Sequence, residues 1–156
     1  MFSIVRRFLP VALMVALAVF MLHATARAAS STADDRCGAI ELGTPPTSSD
    51  DAQARFTCFA AALPTCDPVS LIVSAHTADS IVTRTFLTEA GDRGCTIAET
   101  VERSQNGKST TDSNLCTGVR REKDGIAFTG CGRDGDVVVP AVASAEAAAA
   151  FTKTRM

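Results

Sequence analysis

Two different periods of apolar residues organise the middle of the chain. After Ser48, apolar side chains recur at steps of four, three and four residues, which is the spacing of one face of an amphipathic α-helix. Ser48 and Asp51 predict a hydroxyl cap and an acidic first turn, and Pro64 predicts the end of the helix. The residues of the apolar face are Ala52, Phe56, Phe59 and Leu63.

From Pro68 onward the apolar residues alternate with polar ones, which is typical of half-buried β-strands. The first such segment is PVSLIVSA, and a polar segment, SQNGKSTTDSN, is expected to form a loop further along. Because the other connections are short, the strands are expected to form an antiparallel meander. Further strand candidates cover residues 80–89, 95–103, 115–122 and 126–131, with a short edge strand at 137–139.

These patterns predict an α+β fold in which one N-terminal helix packs on a four- to five-stranded antiparallel meander. We assign residues 48–139 to this single domain. Residues 29–47, rich in Ser, Thr, Asp and Pro, are predicted to be an extended arm. Residues 140–156 form an alanine-rich tail, which we expect to be frayed or disordered because it has no clear apolar stripe.

The first 28 residues have the three parts of an export signal. Arg6 and Arg7 form a basic start, an apolar run follows, and Ala26-Arg27-Ala28 fits a cleavage site with small residues. We therefore predict a signal peptide over residues 1–28 and a protein that is secreted or located in the periplasm or cell envelope. No membrane attachment is expected after cleavage, and retention of the segment as an anchor is the alternative.

The charge balance argues against a nucleic-acid partner. The chain has 15 Lys and Arg and 17 Asp and Glu, and three of the basic residues lie in residues 1–28. The remainder has 12 positive and 17 negative charges, a net charge of −5. The chain also has no Trp and no Tyr, which are the usual platforms for sugars and unpaired bases.

The six cysteines all follow the predicted signal, and an even number in a short exported chain predicts disulfides. Cys58 and Cys66 are not expected to bond to each other, because a helix would separate their Cα atoms by about 12 Å, beyond the limit of about 7 Å. Cys116 and Cys131 face each other across a hairpin if Lys123 and Asp124 form its loop.

The other four cysteines have two remaining pairings. We prefer Cys37 with Cys58, where the helix can hold the arm, and Cys66 with Cys95, which lie at the same end of a meander. The crossed pairing stays open.

Several segments together resemble a group of small exported bacterial proteins. They are CGAIEL, the Cys-Phe pair in the helix, CDPVSLIVS, GCTIAET and LCTGVRREKDGIAFTGC. The resemblance implies a cystatin-like or NTF2-like architecture, with a helix gripped by a curved antiparallel sheet. It implies no activity and no functional residues.

Few residues suggest catalysis. His76 follows a predicted strand near Ser74, Asp79 and Ser80, so a hydrolase using His76 is a minor alternative to a surface histidine. Glu99 and Glu102 should point to opposite faces of a strand as solvated residues.

Asp134 and Asp136 are expected in a polar turn, with weak calcium binding as the alternative.

We therefore predict a non-catalytic exported domain that binds an unknown protein through its surface, with no cofactor and no metal. The alternative is a carrier for a small apolar ligand with a pocket between helix and sheet. Its candidate lining residues are Phe56, Phe59, Phe86 and Phe128.

Overall fold

The computed structural model describes residues 37–92 and 94–152. The predicted signal peptide and residues 29–36 of the predicted arm lie outside the described residues. The described chain is an α+β protein, as predicted, with elements in the order β1, α1, β2 to β8 and α2. Their bounds are β1 Ala39–Leu42, α1 Ser49–Ala62, β2 Ser70–His76, β3 Ser80–Gly91, β4 Gly94–Gln105, β5 Lys108–Cys116, β6 Gly118–Glu122, β7 Gly125–Cys131, β8 Gly135–Pro140 and α2 Ala145–Thr152.

The strands form two sheets, so the prediction of one meander was wrong. The first sheet has the order β1-β2-β3-β4-β5, with β1 parallel to β2 and the other pairs antiparallel. The second sheet contains β6, β7 and β8. Residues 115–122, predicted as one strand, are divided between the sheets: Cys116 pairs with Ile97 in the first, and Gly118 with Thr129 in the second.

Helix α1 begins at the predicted cap. The Asp51 N–H donates a hydrogen bond to Ser48 Oγ at 3.2 Å, and Ser48 Oγ donates to Asp51 Oδ2 at 2.7 Å. This reciprocal arrangement satisfies a free N–H group of the first turn. The helix buries Ala52, Phe56, Phe59 and Ala62.

One core connects both sheets and α1. Phe86 of β3 stacks on Phe128 of β7 with ring centroids 3.6 Å apart, and Phe59 of α1 meets Phe128 edge-on at 5.5 Å. All three rings are fully buried. The second sheet and α1 therefore cover part of one face of the first sheet, which we call its inner face.

The segment predicted as a polar loop is a β-hairpin between β4 and β5. Its turn is Asn106-Gly107, with φ values of 51° and 73°, as in the type I′ turn that suits a two-residue hairpin. Gln105 and Lys108 pair on either side of it. Because β5 is mostly polar, the alternation of apolar residues does not indicate a strand here. The Asn-Gly pair is nevertheless a hairpin signal.

The alanine-rich tail is ordered over α2, so the prediction of a frayed or disordered tail was wrong for these residues. The Ala147 N–H donates to Ser144 Oγ at 3.0 Å, which caps the helix. Ala148 and Phe151 are buried against β1, β2, β3 and β8. A single buried aromatic ring and small alanines suffice for docking, and the folded domain therefore extends from β1, within the predicted arm, to α2.

Three disulfides are present, and they are the pairs preferred from the sequence. Cys37–Cys58 joins the residues just before β1 to α1, and Cys66–Cys95 joins the turn after α1 to β4. Cys116–Cys131 connects the two sheets. Such bonds indicate an oxidising compartment. Among the described residues, no helix has the length and apolar character that a membrane span requires.

Candidate ligand-binding groove

The inner face of the first sheet continues beyond the core at the β4–β5 hairpin, where it is open to solvent. There it forms a groove of about 940 Å³, which we call the β4–β5 groove. Its residues come from β4, β5, their turn and the 3₁₀ turn Gly132–Asp134 that precedes β8. They are Arg103, Gln105, Asn106, Lys108, Thr110, Asp112, Ser113, Asn114, Arg133 and Asp134.

Strand alternation explains why the β4 and β5 side chains of the groove, apart from Ser113, share one face. Paired residues of antiparallel strands point to the same side of the sheet. Arg103 pairs with Thr110, and Glu99 pairs with Asn114. Along β4 the same face is buried at Glu99 and exposed at Gln105. The groove is therefore the solvated continuation of a buried surface.

A buried ion network lies where the core meets the groove. Arg84 of β3 is 1% exposed and Glu99 is fully buried. Arg84 Nη1 donates to Glu99 Oε1 at 2.5 Å, and Nη2 forms an ion pair with Asp134 Oδ2 at 2.7 Å. The Arg84 guanidinium also lies 5.2 Å from the ring centroid of Phe151 in α2. Burial makes this network costly to break, because a lone buried charge is poorly solvated.

The same network fixes the floor of the groove. Asp134 Oδ2 also accepts from Arg103 Nη2 at 2.7 Å, and Arg103 Nη1 lies 3.3 Å from Asp112 Oδ2. Asn114 Nδ2 donates to Glu99 Oε2 at 3.0 Å. These contacts tie β4, β5 and the 3₁₀ turn to the buried Arg84.

The prediction that Glu99 is a solvated strand residue was wrong, because its side chain is fully buried. Glu99 and Glu102 do face opposite sides of β4, and Glu102 is exposed. However, the side that Glu99 faces is the inner face, where the guanidinium of Arg84 meets it. The alternation of side chains along β4 predicts that Glu99 and Glu102 face opposite sides. Only the pairing of β3 with β4 shows which cation lies next to Glu99.

The groove has more unpaired positive than negative charge. It contains three cations, Arg103, Lys108 and Arg133, and two carboxylates, Asp112 and Asp134. Arg103 bonds to both carboxylates. Lys108 and Arg133 are exposed and form no ion pair within the described part of the chain. The groove is therefore locally positive on a chain whose charge is negative overall.

His76 is half-exposed, and its Nε2 lies 3.4 Å from Glu41 Oε2. The serines considered as nucleophiles have other partners: Ser74 Oγ bonds to Thr83 Oγ1 at 3.3 Å, and Ser80 Oγ to Thr77 Oγ1 at 2.8 Å. Within the described residues, the structure therefore brings His76 to a carboxylate and not to either hydroxyl.

The four phenylalanines considered as pocket residues are fully buried. The ring contacts described above join Phe59, Phe86 and Phe128 within the core. A second groove, of about 510 Å³, lies between β8 and α2, and neither it nor the β4–β5 groove is lined by these four residues. Their placement is that of core residues.

One described cluster has the residue types of a metal site. Potential ligand atoms of Glu99, Cys116 and Cys131 lie within 4.8 Å of one another. However, both sulfurs are bonded in a disulfide, and both Glu99 oxygens accept hydrogen bonds. The donor atoms are committed, so this cluster does not fit a metal ion. Asp136, which the sequence offered as a weak calcium ligand, lies outside this cluster. Its Oδ1 accepts a hydrogen bond from the Gly130 N–H at 2.9 Å.

No protein family model, no curated protein and no solved structure matches this chain. The resemblance to cystatin-like or NTF2-like exported proteins therefore stays a prediction.

Proposed function

We propose that this protein is an exported, non-catalytic binding domain that recognises a polar ligand in the β4–β5 groove. The observation that carries the proposal is a solvated groove whose floor is fixed to a buried ion network. A site held in one geometry loses less conformational freedom when a ligand binds. The groove is thus suited to binding a polar ligand.

The chemistry of the groove supports binding more than catalysis. Its hydroxyl groups, on Thr110 and Ser113, are not accompanied by a histidine among the lining residues. Its two carboxylates, Asp112 and Asp134, are both bonded to Arg103 and so belong to the ion network of the groove floor. His76 contacts Glu41 elsewhere in the structure.

Three disulfides and the signal-like residues 1–28 support a location outside the cytoplasm, in the periplasm, the cell envelope or the medium. The partner is then a molecule present in that compartment. A small apolar ligand remains the alternative, although the placement of the phenylalanines in the core does not favour it.

The proposal can be tested by nuclear magnetic resonance on ¹⁵N-labelled protein, because a chain without Trp and Tyr gives no useful intrinsic fluorescence. The probes are an acidic decapeptide, a basic decapeptide, inorganic polyphosphate and laurate. We expect a polar probe to shift the backbone amides that line the groove. The variant Arg133→Glu should change these shifts, whereas Lys123→Glu, an exposed charge reversal in the β6–β7 turn, should not.

Three results would contradict the proposal. Absence of groove shifts with every probe would remove the groove as a binding site. Shifts confined to Phe56, Phe86 and Phe128 with laurate would instead support the apolar carrier. Hydrolysis of p-nitrophenyl acetate that disappears in His76→Ala would support the hydrolase alternative.

A further inference from the structure

We infer, on the basis of the proposed function, that the groove ligand is an extended acidic peptide segment that pairs with β5 as an additional strand. The inference depends on two features that meet at the groove: the free edge of the first sheet and the unpaired cations beside it. Strand addition at an exposed sheet edge is a common mode of peptide recognition.

Strand β5 is the last strand of the first sheet, and its outer edge pairs with no other strand of the described chain. It runs for nine residues without proline, and its register with β4 is continuous from Ile97↔Cys116 to Gln105↔Lys108. Natural edge strands are usually short, bulged or covered. This one is long and regular, which is suited to pairing with another strand.

The turn geometry identifies the backbone groups that face outward. Gln105 and Lys108 close a two-residue type I′ turn and form a hydrogen-bonded pair. Because hydrogen-bonded and non-hydrogen-bonded pairs alternate, the N–H and C=O groups of Ser109, Thr111 and Ser113 point to the free edge. All three residues are exposed. An incoming peptide can reach these groups without breaking the β4–β5 ladder.

Charge complementarity specifies the side chains of the peptide. Lys108, Thr110, Asp112 and Asn114 line the groove along β5, and Arg133 lies on its other wall. Every second side chain of an added strand would lie on this same face. Since Lys108 and Arg133 have no acidic partner among the described residues, glutamate or aspartate at alternate positions would pair with them.

Other occupants fit less well. Strand β5 of a second copy would bring one Lys and one Asp, which leaves the positive charge of the groove unbalanced. Bases and sugars are commonly held on aromatic rings, and none lines this groove. A free polyanion would satisfy the cations but would not use the edge of β5.

The test uses the peptide (Thr-Glu)₅-amide, with fluorescein coupled to its N-terminal amine, and fluorescence anisotropy with the folded, disulfide-bonded protein. The matched control peptide has the same sequence with alternate backbone nitrogens methylated, which keeps its charge but removes strand hydrogen bonds. We expect methylation on the pairing edge to weaken binding by at least about tenfold. Lys108→Glu and Arg133→Glu should each weaken binding by about three- to tenfold, while Lys123→Glu should not change it.

Protein variants test the same hydrogen bonds by changing the edge of β5 instead of the peptide. Thr111→Pro removes an outward N–H and should abolish peptide binding, whereas Thr111→Val keeps the N–H and should bind as the parent does. Amide spectra establish that each variant is folded. If Thr111→Pro does not fold, the comparison of the two peptides still decides the question.

The outcomes are distinguishable. Equal binding of both peptides would overturn strand addition while keeping a charged groove. Groove shifts with polyphosphate but not with the peptide would overturn the peptide and keep the proposed function. Concentration-dependent dimerisation through β5, seen by analytical ultracentrifugation, would assign the edge to a second copy. No groove response to either probe would overturn both the inference and the proposed function.

Discussion

Replacing Arg84 by methionine tests whether the buried ion network holds the fold together. Methionine keeps much of the aliphatic volume but leaves the fully buried Glu99 without its cation. Asp134 retains Arg103, so the penalty falls mainly on Glu99. Removing one partner of a buried pair costs about 3–5 kcal/mol. We expect a loss near the lower end of this range, a large part of a typical stability of about 5–15 kcal/mol.

The measurement is urea denaturation followed by far-ultraviolet circular dichroism, with the disulfides intact. Arg121→Met is the matched control, because Arg121 is an exposed arginine with hydrogen bonds of 3.3 Å to Gln53 and Thr57. It should cost less than about 1 kcal/mol. Glu99→Gln in the Arg84→Met background should recover part of the loss, because it removes the unpaired charge. Equal losses for Arg84→Met and Arg121→Met would refute the role assigned to the network.

Three further predictions concern the hairpin, the second helix and the cysteines. Gly107→Ala should cost about 1–2 kcal/mol in the same denaturation assay, because Gly107 has a φ of +73° and an added Cβ meets nothing within 4 Å, which leaves backbone strain as the cause; no loss would exclude a left-handed Gly107. Phe151→Ala should cost about 3–5 kcal/mol and speed amide exchange in α2, whereas the exposed Ala150→Ser should have little effect. Intact mass after alkylation should show six blocked thiols after reduction and none before it, because all six cysteines are paired; reactive thiols in the native protein would contradict this pairing.

Local features of the fold were predictable from the sequence. The cap at Ser48, the apolar face of α1 and the turn with Glu122 opposite Gly125 are set by residues close together in the chain. The hairpin register then placed Cys116 near Cys131, and the rise of the helix separated Cys58 from Cys66. In each case a distance along the chain converts directly into a distance in space.

The second sheet and the ion network could not be predicted in the same way. The direction in which the chain leaves β5 depends on how the two sheets pack, and no local pattern at Thr117 encodes it. Arg84, Glu99 and Asp134 come from β3, β4 and a turn far along the chain. A charged residue within a strand pattern is normally solvated, so their burial depends on tertiary pairing.

Arg133 and Asp134 show how the core and the groove are coupled. They are neighbours in the 3₁₀ turn that directly follows Cys131, whose disulfide partner Cys116 ends β5. Asp134 turns inward to Arg84, while Arg133 remains exposed in the groove. The disulfide and the ion pair thus hold the two walls of the groove at a fixed separation. An added strand at β5 would therefore meet Arg133 in place, so under the proposed function the residues that stabilise this end of the fold would also hold the groove in the geometry that the ligand requires.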